Sequence, residues 1–331
     1  GGDRMDDVLA GLRAIAEPTR LRILVLCARS ELSVTDLVDI LGQSQPRVSR
    51  HLKLMVEAGV LERNREGARA YYRVAERSSG GAVARALTPL VPVDDAMMAT
   101  DLARLETIRT RRSERAVAYF QENAVRWEDL RGLYVDDGLV DASLMEAVRA
   151  EPVDSLLDIG TGTGRVLEQL ADHVTSAVGV DNAKPMLEIA RDKLDRAGVN
   201  NCQVRLADMY HLPFPADRFD AVTLNMVLHH AEMPGEVLRE AARVLKPGGR
   251  VILVDFAPHE LEELREQHTH RWLGFSGEEI GRMAHSAGLG LEPAVSLTGD
   301  PLTVCLWSAR KADSTDLTTG NTGAAELRAA S

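Results

Sequence analysis

Three glycines alternate with threonine at the end of an apolar run, Leu156-Leu157-Asp158-Ile159-Gly160-Thr161-Gly162-Thr163-Gly164. Glycine is required where a backbone turns with positive φ and where a ligand must lie against main chain with no Cβ in the way. Val166 to Ala171 reads as a helix, so the turn delivers a ligand to a helix N-terminus at the carboxyl end of a strand. Open α/β sheets bind their cofactors there. A second apolar strand, Ala177-Val178-Gly179-Val180, ends in Asp181, and an acid at that spacing can hold a ribose through two hydroxyls. The dinucleotide pattern G-x-G-x-x-G does not fit, because the glycines run G-x-G-x-G and an acid, Asp158, stands two residues before the first.

Residues 33–74 carry a separate chemistry. Ser33 to Leu41 reads as a short amphipathic helix stopped by Gly42. In the next helix, Ser44 to Met55, helical spacing puts Val48, Leu52 and Met55 on one face and leaves Gln45, Arg47, Ser49, Arg50 and Lys53 on the other. A helix, a tight turn and a helix with a polar, basic outer face form the helix-turn-helix arrangement for the major groove. Gly59 to Val74 then reads as a two-stranded hairpin, or wing. Residues 43–73 hold seven Lys/Arg against three Asp/Glu, in a chain whose net charge is -11. Such a basic island can neutralise phosphates. Arg47, Ser49, Arg50 and Gln45 are the candidates for reading bases, whereas Lys53, Arg65 and Arg69 suit the phosphate backbone.

From about Tyr119 to Lys311 the ordered motifs resemble the class I methyltransferases that bind S-adenosylmethionine. The glycine turn with its preceding acid is followed by Leu206-Ala207-Asp208-Met209, Phe219 to Asn225, Val227-Leu228-His229-His230 and Leu245 to Val251. The resemblance implies a Rossmann-like, doubly wound α/β domain. It also implies a cofactor site of Asp158, Gly160, Thr161, Gly162, Gly164, Asp181, Asn182, Met186, Ala207, Asp208, Met209 and Asn225. Asp158 and the glycine backbone would neighbour the sulfonium and its amino-acid end. Asp181 would take the ribose hydroxyls and Asp208 the adenine amine, with Met186 and Met209 as apolar walls. Tyr119 and Trp127 resemble residues of a helix that caps the cofactor.

Over about Met5 to Ala75 the chain resembles the winged-helix ArsR-type repressors, best in Ala16 to Leu24 and Ser49-Arg50-His51-Leu52. Many of these sense metal through cysteines in the helix before the recognition helix. Here Ser33 and Thr35 stand in the matching segment, and hydroxyls are poor ligands for soft metals. Cys27, Cys202 and Cys305 are scattered, so no metal site is expected from them.

Methyl transfer from a sulfonium relies on alignment, and a base is needed only where the acceptor must lose a proton. His229 or His230 is placed to be that base. His268 and His270 are candidates for lining an acceptor pocket, and an H-x-H pair by itself does not specify a metal.

The expected organisation is a winged helix-turn-helix over 1–80, a helical linker with capping helices over 81–137, the methyltransferase-like domain over 138–311 and a disordered tail over 312–331. Arg109 to Arg115 reads as a solvated helix face or hinge. With no run of about 20 apolar residues, no signal sequence and few cysteines, the expectation is a cytoplasmic protein that binds double-stranded DNA as a homodimer. Its adenosyl ligand, S-adenosylmethionine or S-adenosylhomocysteine, acts either as an effector or as the methyl donor of a small-molecule methyltransferase.

Overall fold

A computed structural model describes residues 4–66, 69–76, 78–131, 137–262, 264 and 270–313. The chain divides into two compact units, residues 1–118 with 187–206, and residues 119–186 with 207–331.

The first unit begins with α1 (Arg4–Ile15), α2 (Pro18–Arg29), β1 (Leu32–Ser33), α3 (Val34–Leu41) and α4 (Gln45–Glu57). The chain continues through β2 (Leu61–Glu66), β3 (Arg69–Val74) and α5 (Ser79–Leu87) into α6 (Ala96–Arg131). Local chemistry sets the boundaries of α3. The Ser33 hydroxyl accepts from the Asp36 N–H while Asp36 accepts from the Ser33 N–H, a reciprocal cap that satisfies two orphan donors. At the other end Gly42 adopts a left-handed φ of 63° and its N–H reaches the Val38 carbonyl. The small sheet runs β1-β3-β2, with Leu32 opposite Tyr72 and Leu61 opposite Val74. Ile23, Leu26, Leu37, Ile40, Val48, Leu52, Met55 and Leu105 close its core.

The second unit is built on α7 (Asp137–Arg149), β4 (Val153–Ile159), α8 (Arg165–Leu170) and β5 (Val174–Asp181). In chain order there follow α9 (Lys184–Arg196), β6 (Cys202–Leu206), β7 (Phe219–Asn225), α10 (Pro234–Val244) and β8 (Leu245–Phe256). The chain then forms α11 (Gly277–Ser286), β9 (Leu289–Leu291), β10 (Val295–Leu297) and β11 (Val304–Lys311). One sheet runs β10-β11-β8-β7-β4-β5-β6, and β9 also pairs with β11. β4 lies parallel to β5 on one side and β7 on the other, and β7 parallel to β8, whereas β11 is antiparallel to β8. The chain winds away from β4 in both directions, which opens a crevice outside the carboxyl ends of these strands. β4 and β8 are buried almost throughout, as strands covered on both faces must be.

From Leu187 onward α9, with β6, belongs to the first unit. Within that unit Arg191 pairs with Glu31 at 2.8 Å, both side chains buried, and its guanidinium lies 3.9 Å from the centre of the Tyr71 ring. Asp195 accepts from the Ser30 hydroxyl and lies 3.5 Å from Arg112 Nη1. Thr110, Arg111 and Glu114 are exposed, as the solvated face or hinge expected of Arg109 to Arg115 requires, whereas Arg109 and Arg112 depart from it. Arg112 also donates to Asp36 Oδ2 at 2.9 Å, and Arg109 donates to the Arg29 carbonyl at 2.8 Å. Burial pushes the Asp195 carboxyl up to about 6, against the pull of the Ser30 hydroxyl and the two arginines, so these guanidiniums have a buried acid to neutralise.

Candidate functional site

The glycine turn leaves β4 at Ile159 with three left-handed glycines, Gly160, Gly162 and Gly164, at φ 72°, 53° and 74°. They serve different ends. A Cβ on Gly160 would run into the side chain of Val227, so this glycine is demanded by packing inside the turn. A Cβ on Gly162 would meet nothing within 4 Å, so the turn presents bare backbone to open space there. Gly164 is the N-cap of α8. The Gly160 and Thr161 N–H groups donate to the Val180 carbonyl at 2.8 and 2.9 Å, pinning the turn to β5.

Asp181, at the end of β5, accepts from the Gly162 N–H at 2.9 Å through one oxygen and from the Ala183 N–H at 2.8 Å through the other. It is only partly buried, so lone pairs remain for a ligand. Asp158 is the opposite case. It is buried and accepts from the Thr223 hydroxyl at 2.7 Å through Oδ1, while Oδ2 has no hydrogen-bond partner. Burial pushes its carboxyl up to about 6; the Thr223 and Thr161 hydroxyls beside it pull the other way and the nearby Asp181 charge adds to the rise. Asn225 Oδ1 is likewise buried without a partner. Buried acceptor atoms at the ends of these strands, close in sequence to a bare glycine backbone, suit a polar, cationic ligand, because an unsatisfied one costs about 1–3 kcal/mol until a partner arrives.

Ala207 donates to the Asp181 carbonyl at 3.0 Å, which places the Ala207-Asp208-Met209 segment beside the end of β5. Asp208 is exposed and accepts from the Tyr210 N–H, and Met209 packs on the main core. Asn182 is exposed and Met186 half-buried at the start of α9. Tyr119 and Trp127 fall on α6, but their side chains lie outside the described residues, as do His268 and the tail from 314.

After β7, Met226 takes a left-handed φ of 56° and Val227 covers Gly160, which leads into a short 3-10 turn bearing His229 and His230. His229 is buried, and its Nδ1 lies 2.8 Å from Oδ1 of the fully buried Asp255 near the end of β8. Asp255 is held in turn by the backbone N–H groups of His229 and Phe256. His270 joins them: its ring stands 4.1 Å from that of His229 and 5.2 Å from that of His230. Sequence reasoning named His229, His230 and His270 apart, and missed Asp255 and Thr223. Asp255 ends an apolar strand as Asp158 and Asp181 nearly do, a signal available in Val251-Ile252-Leu253-Val254-Asp255.

In the first unit, Gln45, Arg47, Ser49, Arg50 and Lys53 are all exposed on α4, and Val48, Leu52 and Met55 are buried. Arg65 is exposed on β2, and Arg69 on β3 forms an exposed ion pair with Glu188 at 2.7 Å. Ser33, where a metal-sensing thiolate was considered, is occupied as a helix cap.

Residues 17–63 match the model of the bacterial regulatory protein, arsR family, and residues 157–253 match a methyltransferase domain. Among curated proteins, the uncharacterized methyltransferase YcgJ of Bacillus subtilis is 32% identical over 142 residues, 43% of this chain and 55% of that protein. The ubiquinone/menaquinone biosynthesis C-methyltransferase UbiE of Vibrio parahaemolyticus is 37% identical over 144 residues, 41% of this chain and 56% of that protein. The chain thus spans about half the length of the curated relatives it matches. The crystal structure of the B. subtilis YcgJ protein aligns over 52% of this chain and 98% of its own, at 24% identity and a TM-score of 0.46. Among the described residues no helix is long and apolar enough to cross a membrane.

Proposed function

For a chain that joins an ArsR-family helix-turn-helix domain to a class I methyltransferase domain, we propose a DNA-binding transcriptional regulator whose adenosyl ligand is its effector. The ligand of the C-terminal domain is S-adenosylmethionine, or S-adenosylhomocysteine once the methyl group is gone. When bound, the former supplies a sulfonium carrying a transferable methyl group. Asp158, with Thr161 and Asn225, would hold the amino-acid end and face the positive charge; Asp181 would take the ribose hydroxyls, and Asp208 the adenine amine. Recognition of DNA falls to Arg47, Ser49, Arg50 and Gln45 at base edges and to Lys53, Arg65 and Arg69 at phosphates, in a homodimer formed through the winged helices.

The observation that carries the effector reading is the path of α9. The helix starts three residues after Asp181, and from Leu187 it belongs to the same compact unit as the winged helix. Inside that unit it holds Arg69 of the wing through Glu188, and Glu31 beside α3 through Arg191. Occupancy at Asp181 bears on the first turn of an element whose remainder is built into the DNA-binding unit. Such coupling requires different ligand affinity in DNA-competent and DNA-incompetent states.

A second reading, a working small-molecule methyltransferase that controls its own operon, draws on the buried Asp255–His229 pair. A carboxylate that orients an imidazole is the usual support of a general base. DNA binding to the chain's own upstream region, titrated without ligand and then with each adenosyl form, separates the two. A ligand-dependent affinity supports the effector, and equal affinity throughout removes it.

A further inference from the structure

We infer that His229, His230 and His270 form a site for one divalent transition-metal ion of the zinc class, with Asp255 as its supporting carboxylate. The inference does not rest on the effector reading, and a bound ion would occupy the His229 nitrogen that the methyltransferase reading uses as a base. Each histidine offers one ring nitrogen, and the three atoms lie within 4.8 Å of one another, the one such grouping among the described residues. Nε2 of His229 and Nε2 of His230 are 3.1 Å apart. Two nitrogens bound to a tetrahedral zinc at about 2.0–2.1 Å stand roughly 3.3 Å from each other, so the rings already have nearly the spacing a shared ion imposes.

The support around the rings favours the same reading. Asp255 accepts at Nδ1 of His229, which puts the proton on that nitrogen and leaves the Nε2 lone pair for a metal. This is the carboxylate–histidine–metal relay that fixes tautomer and ring orientation at metal sites. Asp255 is fully buried, and among the described residues its ion-pair partner is His229 alone. Among the described residues no Lys or Arg pairs with Asp255, so its carboxylate is left to support a cation held on the adjoining imidazoles. His270 arrives from a segment some forty residues downstream, and that segment is fastened in place. The N–H groups of Arg271 and Trp272 both donate to the His229 carbonyl, at 2.9 and 3.1 Å, and Trp272 Nε1 donates to the Ala231 carbonyl at 2.8 Å. The Phe256 ring stacks at 5.8 Å from His270.

The chemistry selects the ion. Imidazole ligands suit zinc, copper, iron and nickel rather than calcium or magnesium. Three protein ligands, one of them the exposed His230, leave a fourth position open to water or a small ligand. The site lies beyond β7 and at the end of β8, on the carboxyl-end side of the sheet where the glycine turn also sits.

The test uses the full chain, purified without a histidine tag and stripped with chelator. Equilibrium dialysis against Zn²⁺ is expected to show one tightly held ion per chain, and Co²⁺ to develop the intense visible absorption of a four-coordinate site. His230→Gln, at an exposed position, and His270→Gln should each abolish the cobalt band. Asp255→Asn should weaken Zn²⁺ binding about 10–100-fold. Absence of saturable binding in the unsubstituted chain overturns the inference, as does a cobalt spectrum unchanged by His230→Gln in protein with native circular dichroism.

Discussion

Asp158 concentrates the physical tension of the candidate ligand site. Its carboxyl is raised to about 6 because burial disfavours the charged form. A raised folded-state value means that stability present below the unfolded value, near 4, is lost as the pH climbs through about 6. The loss is at most about 3 kcal/mol above that range. Asp158→Asn should therefore raise the melting temperature of the ligand-free protein at about pH 7.5 and give no gain near pH 4; an equal gain at both would refute the burial argument. In the unsubstituted protein, affinity for S-adenosylmethionine should increase as the pH rises through about 6, because the ionised form meets the ligand's positive charge. The glycines separate by role at this same scale. Gly160→Ala should lower stability far more than Gly162→Ala, because only the former meets a side chain, that of Val227. Gly162→Ala should chiefly lose ligand affinity. Calorimetric titration and thermal melts on both variants give the comparison, and the reverse ranking would reassign the turn. Asp181→Ala removes acceptors of two backbone N–H groups as well as the proposed ribose contact, so ligand affinity should fall by about 1–3 kcal/mol.

Elements divide into those held by their own sequence and those held by a neighbour. Ser33, Asp36 and Gly42 start and stop α3 from within its own sequence, with Arg112 of α6 as a further donor to Asp36, and Ser33→Ala should cost about 0.5–2 kcal/mol in denaturant unfolding. The faces of α4 follow from helical spacing alone, and Arg50→Ala should relax sequence preference at one half-site position if that side chain reads a base. A uniform loss of affinity across sequences would make it a phosphate contact. The wing is different, because Arg69 is engaged by Glu188 of α9. Exposed ion pairs contribute little to stability. Glu188→Gln should leave the melting temperature nearly unchanged while strengthening DNA binding and steepening its salt dependence, since one more cation is released for phosphate. A salt slope identical to that of the unsubstituted protein would show that Arg69 does not reach DNA.

At the level of the whole molecule, regulation is a matter of linkage. If ligand occupancy changes DNA affinity by some factor, DNA changes ligand affinity by the same factor, and calorimetry of the adenosyl ligand with and without operator must agree with the DNA titration. The architecture itself was largely readable from the chain. Strand, glycine turn, helix, strand and acid recur at spacings that backbone geometry enforces locally, and the basic outer face of α4 is a consequence of helical period. What the chain by itself determined was therefore everything encoded within some twenty consecutive residues: both folds, the glycine cradle, Asp158, Asp181 and the exposed polar side chains of α4. Tertiary structure alone decided which distant groups meet. It brought His270 to His229 and Asp255, gave Arg112 to Asp195, assigned Gly160 to Val227 and placed most of α9 in the DNA-binding unit. These pairings come from the close packing of surfaces remote along the chain, where burial, rather than any local period, selects the partner.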